Sequence, residues 1–186
     1  IDQAAHSPPM RFFPEYASAA VAHAEVLVAF AHRWRQQRCD PVFLDRAATL
    51  ARAVAAVHAA AAGGAALVVF PEAFVPGYPS WIWQLRPGAD MGLTERLHAR
   101  LRAQAVSLAG NDLQPLCEAA QQHQLSVVCG IEEIDADFSR GTLYNTVVYI
   151  GADGEIAGRH RKLVPTGAER LVWGNGNDHL LTVVDV

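Results

Sequence analysis

A short apolar run that ends at a proline constrains the fold of this chain more than any other feature. Residues 67–70 read Leu-Val-Val-Phe, and such a run predicts a strand that is buried on both faces. Pro71 ends the strand because proline has no backbone N–H for a ladder. Glu72 then lies at the carboxyl end of a buried strand, where open α/β sheets usually bind their ligands. We predict that Glu72 is either a desolvated general base or a structural carboxylate that caps the next segment.

The segments around this strand alternate between helix and strand patterns, which is typical of α/β folds. Asp45 is predicted to cap a helix that Gly63 and Gly64 end, and Thr94 to cap a second helix. A third helix is expected to begin near residues 111–112. Further strands are expected over residues 125–131, 142–150 and 155–163, and the glycine-rich turn at 151–154 joins the last two as a hairpin. The sheet is therefore predicted to be mixed.

The two ends of the chain carry weaker patterns. Residues 17–31 are apolar enough for a helix, but the segment is too short and too polar to span a membrane. No charged segment followed by an apolar one indicates a secretion signal. Residues 165–177 are predicted to form a loop and residues 180–186 a further strand.

Composition excludes several classes of function. With 186 residues, of which 51% are hydrophobic, the chain is expected to form one domain or most of one. A net charge of -4 without a basic stripe argues against a nucleic-acid surface. The 3 cysteines and 8 histidines show neither disulfide nor metal-ligand spacing. We therefore expect a cytoplasmic protein without a metal site.

The single lysine of the chain is a second candidate for chemistry. Of the 15 basic residues, all except Lys162 are arginine, which suggests that a compact, titratable ammonium is needed at this position. Like Glu72, Lys162 lies at a strand end that a proline follows. If these two ends converge, a base and a cation that stabilises developing negative charge would share one cleft. The alternative is a surface ion pair that contributes well under ~1 kcal/mol.

A nucleophile is harder to find among the residues. Cys129 lies in an apolar run, where a small buried thiol is ordinary, and Cys117 lies on the third predicted helix. Cys39 belongs to the leading segment. No glycine-rich phosphate loop and no Gly-x-Ser-x-Gly elbow is present. From the residues alone we predict an α/β domain with a Glu/Lys cleft and no evident nucleophile.

Several motifs together resemble those of the nitrilase superfamily of carbon–nitrogen hydrolases, in the same order and at the same intervals. Residues 69–79 resemble the glutamate motif of this family, and residues 160–166 resemble its lysine motif. Gly-Thr-Leu-Tyr-Asn-Thr at 141–146 and Glu-Arg-Leu-Val-Trp at 169–173 also match. Gly-Tyr-Pro-Ser-Trp-Ile-Trp at 77–83 is similar to the nitrilase branch rather than to amidases or ureidohydrolases.

The resemblance implies a fold and a chemistry. The fold of the family is an α-β-β-α sandwich, and its members act on a nitrile or amide carbon with a Glu-Lys-Cys triad and no metal or organic cofactor. Glu72 matches the general base, Lys162 the cation that stabilises the tetrahedral intermediate, and Glu169 a second glutamate that positions these groups. Tyr78 and Trp173 are expected to bind substrate in the pocket, with plain core packing as the alternative.

Two departures from the family pattern set the expected domain limits. The nucleophilic cysteine of the family follows the strand after the lysine motif, in a Cys-Trp-Glu setting that does not occur up to residue 186. Residues 33–40 do not resemble the first strand of the family, which should precede Pro41 directly. We therefore expect an atypical leader at 1–40 and the N-terminal part of a carbon–nitrogen hydrolase domain at 41–186, incomplete at its C-terminal end and inactive as it stands.

Three functional hypotheses follow from the resemblance. The first is a nitrilase that converts a nitrile to a carboxylic acid and ammonia. The second is a non-catalytic subunit of the same fold that oligomerises with intact subunits, and the third is an amidase of the same superfamily. The implied partners are a small nitrile or amide and, at full length, further copies of the same chain, with no nucleic acid or membrane.

Overall fold

The structure is a computed structural model that describes residues 45–86, 88–176 and 183–184, together with the backbone of residues 26–27. The strands are β1 (Val26–Leu27), β2 (Leu67–Val69), β3 (Ser126–Ile134), β4 (Leu143–Ile150) and β5 (Ile156–Arg161). The helices are α1 (Arg46–Ala62), α2 (Met91–Gln104) and α3 (Gln114–His123). Two short 3₁₀ helices cover Ser80–Trp83 and Gly167–Leu171.

The strands form one mixed sheet in the order β1-β2-β3-β4-β5. The first three strands are parallel, and β4 and β5 continue the sheet as antiparallel neighbours. Helices lie in the chain between the parallel strands, because a parallel pair needs a long crossover. The predicted α/β class, the mixed sheet and the hairpin of β4 and β5 are confirmed.

Helices α1 and α3 cover one face of this sheet. The N-terminus of α1 is capped as predicted, since the Asp45 carboxylate accepts the backbone N–H of Ala48 at 2.8 Å. Gly63 caps the other end. The main core between these helices and the sheet is formed by the residues Leu50, Ala53, Val57, Leu116, Ala120, Val68, Val127, Cys129, Ile131, Val148 and Ile150.

A second, smaller core lies around α2 and the two 3₁₀ helices. Its buried members are Ala73, Ile82, Leu101, Ala105, Leu143, Val172 and Trp173. This cluster joins the loop after β2 to the segment after β5. It therefore supports the two segments that carry Glu72 and Glu169.

The cap predicted for the second helix is wrong. Thr94 does not cap α2, because the helix already begins at Met91 and the Thr94 hydroxyl donates back to the carbonyl of Asp90 at 2.9 Å. Asp90 precedes the helix and is held by Arg86, with a nitrogen-to-oxygen distance of 2.9 Å. Helix α2 ends at Gln104, and Leu101 is its only buried residue.

The ends of the chain also differ from expectation. Residues 26–27 form strand β1 instead of part of a helix, because they pair with the open edge of β2. The predicted loop at 165–177 contains the 3₁₀ helix Gly167–Leu171. The strand predicted at 180–186 lies outside the described residues except at 183–184, and the domain limit at residue 40 stays a prediction.

Gly130 of β3 allows the Glu72 loop to approach the sheet, and this contact can be tested. A Cβ at position 130 would lie 2.3 Å from the Pro71 carbonyl oxygen and 2.8 Å from the Glu72 Cα, both of which are backbone atoms. We expect Gly130→Ala to lower the free energy of unfolding by about 1–3 kcal/mol, as overpacking does elsewhere. Urea denaturation measures the change.

Gly92→Ala provides the matched control for this prediction. Gly92 lies in α2, and the nearest atom to an added Cβ is 3.6 Å away on the flexible Arg96 side chain. This substitution should raise stability by about 0.5–1 kcal/mol because alanine is the better helix former. Equal stability of Gly130→Ala and the wild type would contradict the account of the Glu72 loop.

Candidate active site

The loop that carries Glu72 is fastened to β3 on both sides of the carboxylate. Before it, the Phe70 N–H donates to the Val128 carbonyl at 2.8 Å. After it, the Val75 N–H donates to the Gly130 carbonyl at 3.1 Å. Between these two bonds residues 71–74 form a turn, in which the Phe74 N–H donates to the Pro71 carbonyl at 3.2 Å. The backbone of this local bulge packs on Gly130 of β3, and the Glu72 side chain projects over the sheet.

Lys162 lies directly after β5 and in register with the neighbouring strands. Its backbone N–H donates to the Asn145 carbonyl at 2.8 Å, and Asn145 pairs with Glu132 across β3 and β4. Side chains that are opposite each other in neighbouring strands share one face of a sheet. Glu132, Asn145 and Lys162 therefore form a polar row on the face opposite the main core.

Glu169 is placed by the 3₁₀ helix after β5. This helix begins with a capping box, in which the Glu169 carboxylate accepts the Thr166 backbone N–H at 2.7 Å and the Thr166 side chain accepts the backbone N–H of Glu169. Glu169 as a whole is 4% exposed. A local capping motif thus fixes the side chain whose other contacts are long-range.

The structure brings Glu72, Lys162 and Glu169 together. The Lys162 ammonium lies 2.9 Å from Glu72 Oε1 and 2.9 Å from Glu169 Oε2. One positive charge is therefore shared by two carboxylates that come from different segments. We call these three residues the carboxylate–lysine cluster.

Solvent reaches the three members unequally. The side chains of Glu72, Lys162 and Glu169 are 49%, 30% and 5% exposed. The desolvation that the sequence predicted for Glu72 is thus not found in the described part of the chain, because the bulge that projects the carboxylate also opens it to water. Glu169 is the buried carboxylate of the cluster.

Asn145 is a site residue that the sequence analysis did not single out. Its side-chain amide donates to Glu72 Oε1 at 2.6 Å. The same oxygen accepts the Lys162 ammonium, whereas Oε2 has no hydrogen-bond partner among the described residues. The position of Asn145 in the motif at 141–146 was the available signal, and only the strand register shows its contact with Glu72.

Tyr78 and Trp173 both border the carboxylate–lysine cluster. The Tyr78 hydroxyl donates to Glu169 Oε1 at 2.7 Å and accepts the Trp83 indole N–H at 3.0 Å. Burial, together with the Glu169 bond, raises the pKa of Tyr78 to about 12, so the phenol stays a donor. Trp173 meets the Tyr78 ring edge-on at 5.6 Å and is 3% exposed, which favours packing over direct substrate contact for this residue.

Hydrogen bonding within the cluster outweighs burial for both Lys162 and Glu169. Burial alone would lower the pKa of Lys162, but its bonds to Glu72 and Glu169 leave that pKa raised. Burial alone would raise the pKa of Glu169, but Lys162, the Thr166 backbone and Tyr78 hold it below its ordinary value. The ammonium and the Glu169 carboxylate are therefore both charged at neutral pH.

The second residue that the sequence analysis missed is Glu132, which is fully buried. Its Oε2 accepts the Trp173 indole N–H. Burial, with smaller contributions from Glu72 and Glu169, raises the pKa of Glu132 well above its ordinary value. The available signal was a pair of acids, at 132 and 133, inside an apolar strand.

The described thiols do not supply a nucleophile. Cys117 and Cys129 are free and buried. Burial raises the pKa of Cys129 to about 12 and also raises that of Cys117. Both thiols are therefore protonated and inert at neutral pH, as expected for core cysteines. Cys39 lies outside the described residues.

The described residues show neither a membrane-spanning helix nor a metal-binding cluster. None of the described helices combines the length and the apolar character that a membrane crossing needs. In the same part of the chain, no group of three or more His, Cys, Asp or Glu side chains is arranged to hold a metal ion.

Comparison with known proteins gives one family and several relatives. The profile of the carbon-nitrogen hydrolase family matches residues 33–186. An aliphatic nitrilase of Rhodococcus rhodochrous is 39% identical over 149 residues, which cover 80% of this chain and 39% of that protein. An aliphatic nitrilase of Sinorhizobium fredii is 41% identical over 145 residues, which cover 77% of this chain and 46% of that protein.

A fungal relative and a solved structure add to these matches. An arylacetonitrilase of Aspergillus niger is 38% identical over 148 residues, which cover 79% of this chain and 41% of that protein. The chain thus spans less than half the length of the curated relatives it matches. A crystal structure of an amidase from Nesterenkonia sp. aligns with a TM-score of 0.48 and 20% identity over 73% of this chain and 44% of that one.

The lowered pKa of Glu169 makes a prediction about stability and pH. A carboxylate whose pKa is lower in the folded state stabilises the fold above its ordinary value, 4.5, and this contribution is lost as the pH falls through the folded-state pKa. Glu169→Gln keeps a capping side chain but loses the charge. We expect it to lower the free energy of unfolding at neutral pH by about 1–3 kcal/mol.

The difference between the wild type and Glu169→Gln should shrink as the pH falls below 4.5. Chemical denaturation at a series of pH values measures it. Glu95→Gln removes an exposed carboxylate from α2 and should change stability by less than about 0.5 kcal/mol. A Glu169→Gln deficit that is independent of pH would contradict the proposed charge interaction.

Proposed function

This chain belongs to the carbon-nitrogen hydrolase family, and we propose that the whole protein is a nitrilase that hydrolyses a nitrile to a carboxylic acid and ammonia. The observation that carries the proposal is the sharing of the Lys162 ammonium by Glu72 and Glu169, at 2.9 Å from each. The relatives named as aliphatic nitrilases and an arylacetonitrilase favour a nitrile as the substrate.

Glu72 is the general base in this proposal. Asn145 and Lys162 both donate to Oε1, and this arrangement leaves Oε2 available to take a proton. A thiol transfers its proton to Oε2 as the sulfur attacks the nitrile carbon. We propose that the nucleophile is the cysteine that the family resemblance implies. It would lie in the part of the whole protein that corresponds to the unmatched half of the relatives.

Lys162 stabilises the charge that develops in this step. A new S–C bond forms while one C≡N electron pair moves to nitrogen. The ammonium stabilises that nitrogen as it takes up the proton that Glu72 received from the thiol. Water then adds to the thioimidate and ammonia leaves, which gives a thioester. A second water hydrolyses the thioester, so one nitrile and two waters yield one carboxylic acid and one ammonia.

Glu169 acts as a positioning residue in this mechanism. Its carboxylate accepts the Lys162 ammonium, and it is itself fixed by the Thr166 N–H and the Tyr78 hydroxyl. Three independent contacts on one buried carboxylate restrict the ammonium to a narrow range of positions. Such preorganisation is what electrostatic catalysis requires.

Substitution of the proposed base and cation tests this mechanism in the full-length protein. We expect Glu72→Gln and Lys162→Ala each to lower kcat/KM for nitrile hydrolysis by about 10²–10⁴-fold, because each removes a group that acts in the transition state. Release of ammonia from a panel of aliphatic and aryl nitriles is the measurement. Thermal denaturation checks that both variants fold.

The control and the alternative substrates are part of the same experiment. Glu95→Gln, which removes an exposed carboxylate from α2, should retain wild-type turnover. Turnover of the corresponding amides without turnover of nitriles would replace the nitrilase by an amidase. Wild-type rates in Glu72→Gln would contradict the mechanism itself.

A further inference from the structure

Glu132 lies on β3 beneath the carboxylate–lysine cluster. It is 0% exposed and stands in the polar row with Asn145 and Lys162. The position two residues earlier, Gly130, is the point where the Glu72 loop touches the strand. Since residues i and i+2 of a strand share a face, Glu132 faces the side of the sheet that carries the cluster.

The two neighbouring acids of β3, Glu132 and Glu133, have very different hydrogen-bond and ion-pair partners. Glu133, on the opposite face, pairs with Arg159 and Arg161 and accepts the Thr146 hydroxyl at 2.7 Å. Within the described part of the chain, Glu132 makes one side-chain hydrogen bond, in which its Oε2 accepts the Trp173 indole N–H. Among those same residues, its buried Oε1 has no hydrogen-bond partner and no cation lies within ion-pair distance of its carboxyl group.

An unpaired buried carboxylate is much less stable than the neutral acid. The groups that face Glu132 add to this effect, because Glu72 and Glu169 are negative while Lys162 is already shared by those two. Since Oε2 accepts the indole N–H, the acid proton resides on Oε1. In the neutral acid, Oε2 accepts the indole N–H, and only the Oε1 hydroxyl is left without an acceptor among the described residues.

Trp173 connects this acid to the carboxylate–lysine cluster. The Lys162 ammonium lies 5.8 Å from the centroid of the Trp173 ring, and the Trp173 backbone N–H donates to the Glu169 carbonyl at 2.9 Å. Tyr78, which binds Glu169, packs edge-on against the same indole. A shift of the indole would therefore disturb both Lys162 and Glu169.

We propose that Glu132 is a positioning residue: a buried, uncharged carboxylic acid that fixes the Trp173 indole beside the carboxylate–lysine cluster without competing for Lys162. The contribution of this residue to turnover rests on the proposed function, whereas its protonation and its bond to Trp173 do not. Glutamine is isosteric with the neutral acid and should replace it, whereas leucine removes the acceptor.

NMR of the Trp173 indole N–H tests the proposal without any need for turnover. The full-length protein is labelled with ¹⁵N-tryptophan, and the resonance is assigned with Trp173→Phe. We expect the wild-type and Glu132→Gln resonances to change in parallel across the ordinary carboxyl range around pH 4.5, because Glu132 does not ionise there. A wild-type shift centred near pH 4.5 that Glu132→Gln abolishes would overturn the proposal.

Stability gives an independent readout with a matched neighbour as the control. When a carboxyl group has a raised pKa in the folded state, the free energy of unfolding of the protein falls as the pH rises above the ordinary pKa of that group. Glutamine does not titrate, so the stability of Glu132→Gln relative to the wild type should increase from pH 4.5 towards neutrality. Glu132→Gln should therefore melt at or above the wild-type temperature at neutral pH, whereas Glu133→Gln should melt lower. An equal loss in both variants would overturn the proposal.

Turnover then measures the positioning role. We expect Glu132→Gln to retain wild-type kcat and Glu132→Leu to lower kcat by about tenfold or more, because the indole N–H loses its only described acceptor. If Glu132→Leu does not fold, the NMR and stability comparisons decide the proposal. A tenfold loss of kcat in Glu132→Gln, or wild-type kcat in a folded Glu132→Leu, would overturn it. A wild type inactive on nitriles and amides would defeat the proposed function, while the NMR result would still decide the state of Glu132.

Discussion

The arrangement depends on one ammonium that two carboxylates share. Glu72 and Glu169 would repel each other if they faced one pocket alone, and Lys162 lies 2.9 Å from each. The three residues come from the loop after β2, the end of β5 and a 3₁₀ helix, and Glu72 and Lys162 are 90 residues apart in the chain. The two bonds of the Lys162 ammonium therefore also link these three segments to one another.

Because side chains alternate along the strands, the sheet carries the carboxylate–lysine cluster on one face and a second charged network on the other. Neighbouring residues in the chain take different roles: Glu132, Asn145 and Lys162 face the cluster, whereas Glu133, Thr146 and Arg161 form a buried network on the other face. Among the described residues, Glu133 of the second network pairs with Arg159 and Arg161, whereas the face that carries the cluster holds Glu132 without an ion-pair partner and a half-exposed Glu72. Polar groups on the face where catalysis is proposed therefore have fewer described partners than those on the other face, as is typical of functional sites.

The sequence predicted those features that depend on local pattern. The strand before Glu72, the cap at Asp45 and the β4–β5 hairpin each follow from a few adjacent residues, and all three are present. Asn145 and Glu132 could not be assigned in this way, because their contacts depend on the register of three strands. The same limit explains β1, where pairing with β2 replaces a helix that the local composition favoured. The resemblance to a family supplied candidate roles for Glu72, Lys162 and Glu169, but not their geometry.

The shared ammonium can be measured directly, because Lys162 is the only lysine in the chain. Labelling with ¹⁵N-lysine gives its Nζ signal in isolation, and titration of that signal by NMR reports its pKa. We expect a pKa above the ordinary 10.5 in the wild type and a lower value in both Glu72→Gln and Glu169→Gln. A wild-type value at or below 10.5, unchanged by either substitution, would show that the two carboxylates do not share this charge and would contradict the account.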